Sequence, residues 1–204
     1  MATTHHAVRD VSDVVVESEV VTSSAARKAL AVLRIAFGFT FLWAFFDKLL
    51  ALGYATGRDA ETGAVDRFGD AAWINGADPA AGFLAFGTNP DSPFYDLFTG
   101  LVTVTETGPQ TDFWVSPLFM IGLLGIGAAL LLGIGMRIAA ASGALLYLFM
   151  YAAVMLPENN PIFDDHLIGA ISLAVLALTL SGDTWGFGKK WAKTHLVRRY
   201  AFLR

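Results

Sequence analysis

The chain has 204 residues, 55% hydrophobic and only 16% charged, with a net charge of −4 and a mean hydropathy of +0.55. A soluble domain carries roughly 25% charged residues and needs that polarity to wet its surface, so the indicated solvent is lipid. The acidic balance argues against nucleic-acid binding, and the absence of cysteine excludes disulfides, thiolate metal sites and iron–sulfur clusters within this chain.

Residues 1–26 are polar, rich in Val, Ser and Thr, and carry scattered charges without a helical apolar stripe. They read as a mobile tail, with an interfacial patch at Val14–Val16. A first apolar run extends from about Ala29 to Phe46, on to Leu52 at most, interrupted only by Arg34 and Thr40. A bilayer core of roughly 30 Å takes about 20 helical residues, and this run fits. A cleaved signal peptide is the rival reading; the apolar core is too long for one and the charged head too extended.

The loop over 53–114 holds Arg58 and Arg67 against Asp59, Glu61, Asp66, Asp70, Asp78, Asp91, Asp96, Glu106 and Asp112. It is long for an unstructured connection, so it is expected to fold in part, with short helices at 79–87 and 93–104. Further runs at Val115–Gly135 and Ile138–Leu156 are separated by a turn around Gly135, Met136 and Arg137, which makes them a tight antiparallel hairpin. A fourth run, Leu167–Leu180, is short and either begins near Ile162 or thins the bilayer.

Arg27 and Lys28 precede the first run, Arg137 lies in the tight turn, and Lys189, Lys190, Lys193, Arg198, Arg199 and Arg204 follow the fourth. With four spans every basic cluster falls on one side, which the positive-inside rule makes cytoplasmic. The expected fold is an all-α integral membrane protein of the cell membrane. It is a four-transmembrane-helix bundle at 27–188, with a partly folded extracytoplasmic loop between helices 1 and 2. Both termini are cytoplasmic, and a basic tail follows at 189–204. Small residues every fourth position (Gly125, Ala129 and Gly133; Ala139 and Gly143; Ala170 and Ala174) are expected to seat the helices against one another.

Chemistry-bearing residues gather at the outer ends. Asp47 and Lys48 close the first run, and Glu158, Asn159, Asp164, Asp165 and His166 lie between the third and fourth. In a four-helix bundle the two sets share one surface, with Trp73 and Asn75 above them. Carboxylates and an imidazole suit a divalent cation or proton relay, although Asp164 and Asp165 also suit helix capping and Asp47–Lys48 an interfacial pair. No metal site is assigned. Arg34 lies almost two turns inside the first helix, about 9 Å beyond Lys28 at 1.5 Å per residue, within reach of the cytoplasmic surface. Of the four histidines, His5 and His6 are in the tail and His166 and His195 at opposite ends, so no facing pair exists to hold a haem. A redox role would use a diffusible quinone or a partner's cofactor.

Several segments carry a family resemblance: LRIAFGFTFLWAFFDKLLALG at 33–53, WINGADPAAGFLAFGT at 73–88, FMIGLLGIGAALLLGIGMRIAAASGALL at 119–146, PENNPIFDDH at 157–166 and GDTWGFGKKWAK at 182–193. Together they resemble the DoxX/DoxD family of membrane proteins, over about residues 27–200. The resemblance implies a four-helix membrane subunit and thiosulfate:quinone oxidoreduction, in which thiosulfate becomes tetrathionate and electrons enter the quinone pool. On that reading a quinone, not covalently held, lies against Trp43, Phe45 and Phe46, while Asp47, Lys48, Asp165 and His166 are the candidate catalytic groups. Trp73, Asn75, Glu158 and Asn159 complete the candidate binding surface. The alternative is a non-catalytic accessory subunit bound to other respiratory membrane subunits.

Overall fold

The computed structural model describes residues 14–157, 160 and 162–204, and Glu158 and Asn159 lie outside that set. After a single helical turn, α1 (Glu17–Val20), the chain enters α2 (Ser24–Leu50), whose 27 residues reach about 40 Å. The Ser23 hydroxyl accepts the Ala26 amide at 3.3 Å and starts α2; Ala51, left-handed at φ 51°, stops it. Three further long helices follow: α4 (Val115–Leu132), α5 (Met136–Ala153) and α6 (Asp165–Leu178). Gly133 and Gly135, at φ 69° and 58°, make the left-handed turn that lets α5 fold straight back on α4.

Helices α2, α4 and α5 are each long and apolar enough to cross a membrane, and by length and composition they mark a multi-pass membrane protein. Helix α6 is apolar too, but its 14 residues span only about 21 Å. It begins at Asp165, where the Asp164 carboxylate accepts the Leu167 amide at 2.9 Å, rather than near Ile162. Unlike a soluble bundle, the four are apolar on the outer face as well as on the inner one. Phe41, Met120, Leu123, Ile126, Leu130, Leu173 and Leu176 are buried between them, while Phe39, Leu118, Ile121, Phe149, Ile171 and Leu178 face outward.

The closest approaches coincide in part with those that residue spacing indicates, at Gly133 and Gly143 but not at Gly125. Gly125 is exposed, and a Cβ built there would meet nothing. The crossing of α2 and α4 is instead at Gly38 and Gly127, where a Cβ would come within 2.9 Å of the Leu131 amide and 2.8 Å of the Leu42 amide respectively. Gly143 marks the axis of the bundle, since its missing side chain would touch Leu173 of α6, Ile126 of α4 and Phe41 of α2. Helix α2 lies antiparallel along α4 and α5 along α6; α4 and α5 share a narrower seam, and α2 barely meets α6.

Two ends follow from this arrangement. At the loop end, residues 52–114 fold over the bundle. A helical stretch at 81–87 and α3 (Tyr95–Thr99) form where short helices are expected, but the second stops at Thr99. The β-branched run Val102–Thr105 is a strand, β1, paired antiparallel with β2 (Gly108–Thr111). Asp78 pins this hairpin: its carboxylate accepts the Thr111 amide at 2.7 Å, the Thr111 hydroxyl at 2.8 Å, the Ala81 amide at 3.1 Å and the Ser116 hydroxyl. Burial alone would raise the Asp78 pKa, but these donors outweigh it and hold it below the usual carboxylate value. The loop also caps α5, with Ser92 donating to the Ala152 carbonyl at 2.6 Å and Asn89 to those of Ala153 and Met155 at 2.9 Å.

At the opposite, basic end the chain finishes in α7 (Gly188–Ala192), α8 (His195–Arg199) and a 3₁₀ turn at Ala201–Leu203. Residues 14–21 lie across this end as a strap, their backbone bonded to Asp183 and Arg204.

Candidate functional site

The candidate residues at the loop end fall into two groups. Around the end of α2, Asp47 is buried at 1% exposure. Its carboxylate accepts the Tyr54 amide at 3.2 Å and the Ala55 amide at 2.9 Å, so it caps the chain reversal that leaves the helix. Lys48 is half-buried with its ammonium 6.0 Å from the centre of the Phe119 ring. Among the described residues, no carboxylate or carbonyl oxygen lies within hydrogen-bonding reach of that ammonium. One turn back, Trp43 stacks on Phe39 at 5.8 Å and meets the Tyr54 ring edge-on at 4.9 Å. Phe46 is exposed and touches Phe45 at 5.3 Å. Trp73 packs down onto the bundle core from the loop, while Asn75 points back into the loop and donates to the Phe68 and Gly69 carbonyls, each at 2.8 Å.

The second group surrounds the start of α6. The His166 Nδ1 lies 2.6 Å from the Asp164 carboxylate. Partial burial raises the Asp164 pKa, but the Leu167 amide and the imidazole more than offset it and hold that carboxyl below its usual value. Asp165 is exposed. The His166 ring also faces Tyr147, 6.1 Å away, and Tyr147 in turn rests on Phe41 at 5.3 Å and Phe37 at 6.1 Å. Thus His166 reaches α2 through Tyr147 at Phe41, six residues or about 9 Å short of Asp47. No hydrogen bond or ion pair joins Asp47 or Lys48 to Asp164, Asp165 or His166 among the described residues.

Tyr147 is the member of this group that residue patterning passes over, because one tyrosine in an apolar helix reads as core; its hydrophobic neighbours on α2 gave no local signal. Arg34 is the larger surprise. It is fully buried, and each of its five N–H groups is directed at a backbone carbonyl. Nε donates to Ser181 at 3.1 Å, Nη1 to Leu130 and, at 3.0 Å, Leu131, and Nη2 to Thr184 at 3.1 Å and Trp185 at 3.2 Å. Instead of stretching to the surface, the guanidinium ties the end of α4 to the turn after α6. Above it Glu17 is buried in the strap, with one carboxylate oxygen accepting the Thr184 hydroxyl at 2.5 Å and the other unpartnered among the described residues. Burial, reinforced by the nearby Asp183 charge, raises the Glu17 pKa. Asp183 accepts the Glu17 amide at 2.9 Å and pairs with Arg204 at 3.1 Å.

Comparison of the chain with family models, with curated proteins and with solved structures finds no match.

Proposed function

We propose that the chain is a four-span subunit of a quinone-linked redox system in the cell membrane, with its termini on the cytoplasmic side and the 53–114 loop outside. The outward apolar faces of α6 and the placement of basic residues at one end support the fourth span and the orientation. The redox setting rests on the resemblance to the DoxX/DoxD family. The observation that carries a ligand role is Lys48: a half-buried ammonium over the Phe119 ring with no oxygen partner among the described residues, one turn beyond Trp43. A cation held in a poorly hydrated place gains most from an oxyanion or a polarised carbonyl, which describes a reduced quinone or a small sulfur oxyanion.

Lys48→Met is expected to lower thiosulfate-dependent quinone reduction in proteoliposomes by about 10- to 100-fold, the worth of one charged hydrogen bond. Lys48→Arg should keep part of it. Full turnover in Lys48→Met removes Lys48 from the site. Because the chain has no cysteine, Thr107→Cys and Lys193→Cys report orientation directly. Outside-only labelling of the first and inside-only labelling of the second is the expected pattern, and labelling of both from one side refutes four spans.

A second reading is favoured by what the other polar candidates do. Asp47, Asn75 and Asp164 are all engaged with local backbone, which suits an accessory subunit that offers its helix faces to a respiratory complex. Stoichiometric recovery with haem-bearing subunits, together with no quinone reduction by the isolated chain, would select that reading.

A further inference from the structure

Two parts of the 53–114 loop present different surfaces. Between 58 and 70 every charged side chain is exposed: Arg58, Asp59, Glu61, Asp66, Arg67 and Asp70. Further on, large apolar side chains stand open. Phe113 is 91% exposed and Phe86 74%, and Phe94, Leu97 and Trp114 are exposed as well. Asp91, Asp96 and Asp112 lie exposed between them. Rings that no neighbour covers are costly in water, and carboxylates are costly in hydrocarbon. A set that interleaves the two belongs at the boundary between those solvents.

The fold fixes the level of this second part. Trp114, Leu118 and Ile121, at i, i+4 and i+7, form one exposed stripe. The outward apolar face of α4 therefore continues without a break to the residue that caps the helix and to Phe113 before it. The rest is held at the same height. Leu84 and Phe98 share a buried cluster with Ala153 at the end of α5, and the Asp112 amide donates to the Leu101 carbonyl at 3.1 Å. Ser92 and Asn89 donate to the carbonyls of Ala152, Ala153 and Met155, groups that a helix end in water leaves to solvent. With 18 residues each, α4 and α5 reach about 27 Å, less than a hydrocarbon core of roughly 30 Å. Centred in a bilayer, their ends lie at the hydrocarbon boundary, and what packs on those ends lies there too.

We propose that this part of the loop binds the bilayer surface, with Phe86, Phe94, Leu97, Phe113 and Trp114 seated among the headgroups of the leaflet at the loop end, an inference that rests on the membrane reading above. The partner is a lipid surface because the exposed stripe of α4 runs straight into Trp114 and Phe113. The 58–70 part, with its exposed charges, stands in water.

The test places nitroxide labels on single cysteines, in a chain that has none of its own, with the full chain in phosphatidylcholine vesicles. Phe86→Cys, Leu97→Cys and Phe113→Cys report the patch, Leu118→Cys the stripe of α4 and Glu61→Cys the charged part. Oxygen concentrates in lipid and a water-soluble nickel chelate is excluded from it, so the ratio of their collision rates reads depth. At the three patch positions this ratio should exceed that at Glu61→Cys by about tenfold, the order of the partition of one apolar side chain out of water. Three separate sites keep the answer available if one variant fails to fold. Patch ratios equal to that at Glu61→Cys, beside a high ratio at Leu118→Cys, leave the loop in water and overturn the proposal alone. Loss of collisions with both probes at the patch means that protein covers it, a second copy or another subunit, and also overturns the proposal. If Leu118→Cys itself reads as water, the membrane reading falls with it.

Discussion

Arg34 shows how a charge is accommodated in a helix that is otherwise apolar. All five donors end on carbonyls, two at the end of α4 and three in the turn after α6. These are groups that a helix terminus and a sharp turn leave without intrahelical partners. Arg34→Met leaves several buried carbonyls unsatisfied and is expected to destabilise the folded chain by about 3–5 kcal/mol. Arg34→Lys, with three donors in place of a planar fork, should fall between that variant and the parent. The shift in the denaturant midpoint in detergent measures both, and equal stability of Arg34→Met and the parent would refute the clamp. The arginine itself stands out in the sequence as an intramembrane charge, but its partners do not. Backbone carbonyls carry no side-chain identity, so no residue pattern could have named Leu130, Ser181 or Trp185.

At the scale of the elements, hydropathy makes the long helices legible, because about 20 apolar residues have few other uses. How the helices face one another is less legible. Spacing of small residues marks a face without saying which neighbour it meets, and so Gly125 was a plausible contact that is in fact exposed. A tight glycine pair joins Gly133, a member of the regular spacing, to Gly182, which lies outside it: a Cβ on Gly182 would sit 2.4 Å from the Gly133 carbonyl oxygen, and one on Gly133 2.7 Å from that of Gly182. Both obstacles are backbone and cannot rotate aside. Gly182→Ala is therefore expected to cost about 1–3 kcal/mol, as overpacking does, while Gly125→Ala should be neutral or slightly stabilising through helix propensity. Thermal unfolding of the two variants side by side checks this, and a neutral Gly182→Ala would mean that the two turns are not in contact. The helical reading of 93–104 missed the hairpin β1–β2 for a different reason: Val102–Thr105 is β-branched, and a two-residue turn at 106–107 leads into Gly108, which opens β2 at φ 115°.

Across the whole molecule the two ends carry titrating groups of opposite sign in their linkage to folding. Asp78 and Asp164 at the loop end have folded pKa values below the ordinary 3.8. Their contribution is complete above that value and is lost as pH falls through the folded pKa. Glu17 in the strap has a folded pKa above the ordinary 4.5. Its contribution is complete below that value and is lost as pH rises through the folded pKa. Acidification should therefore loosen the 53–114 loop while tightening the strap. Amide hydrogen exchange at the Thr111 and Glu17 amides, corrected for intrinsic pH dependence, follows the two ends separately; parallel changes would refute the assignment. Glu17→Gln should abolish the response at the strap alone. Residue order places Asp47 and His166 at one end of the bundle without saying that they stay apart: Asp47 accepts loop amides, whereas the His166 ring faces Tyr147 of α5.

The Arg34 clamp also sets an order in time. Its acceptors lie 96 to 151 residues further along the chain, and at roughly 5–20 residues per second the ribosome needs on the order of 10 s to make the last of them. Through that interval α2 carries a guanidinium whose final acceptors have not yet been made. The first long helix, α2, can complete its Arg34 contacts only after the turn that follows α6 has been made, so the nascent chain keeps an early segment provisional until a late one exists.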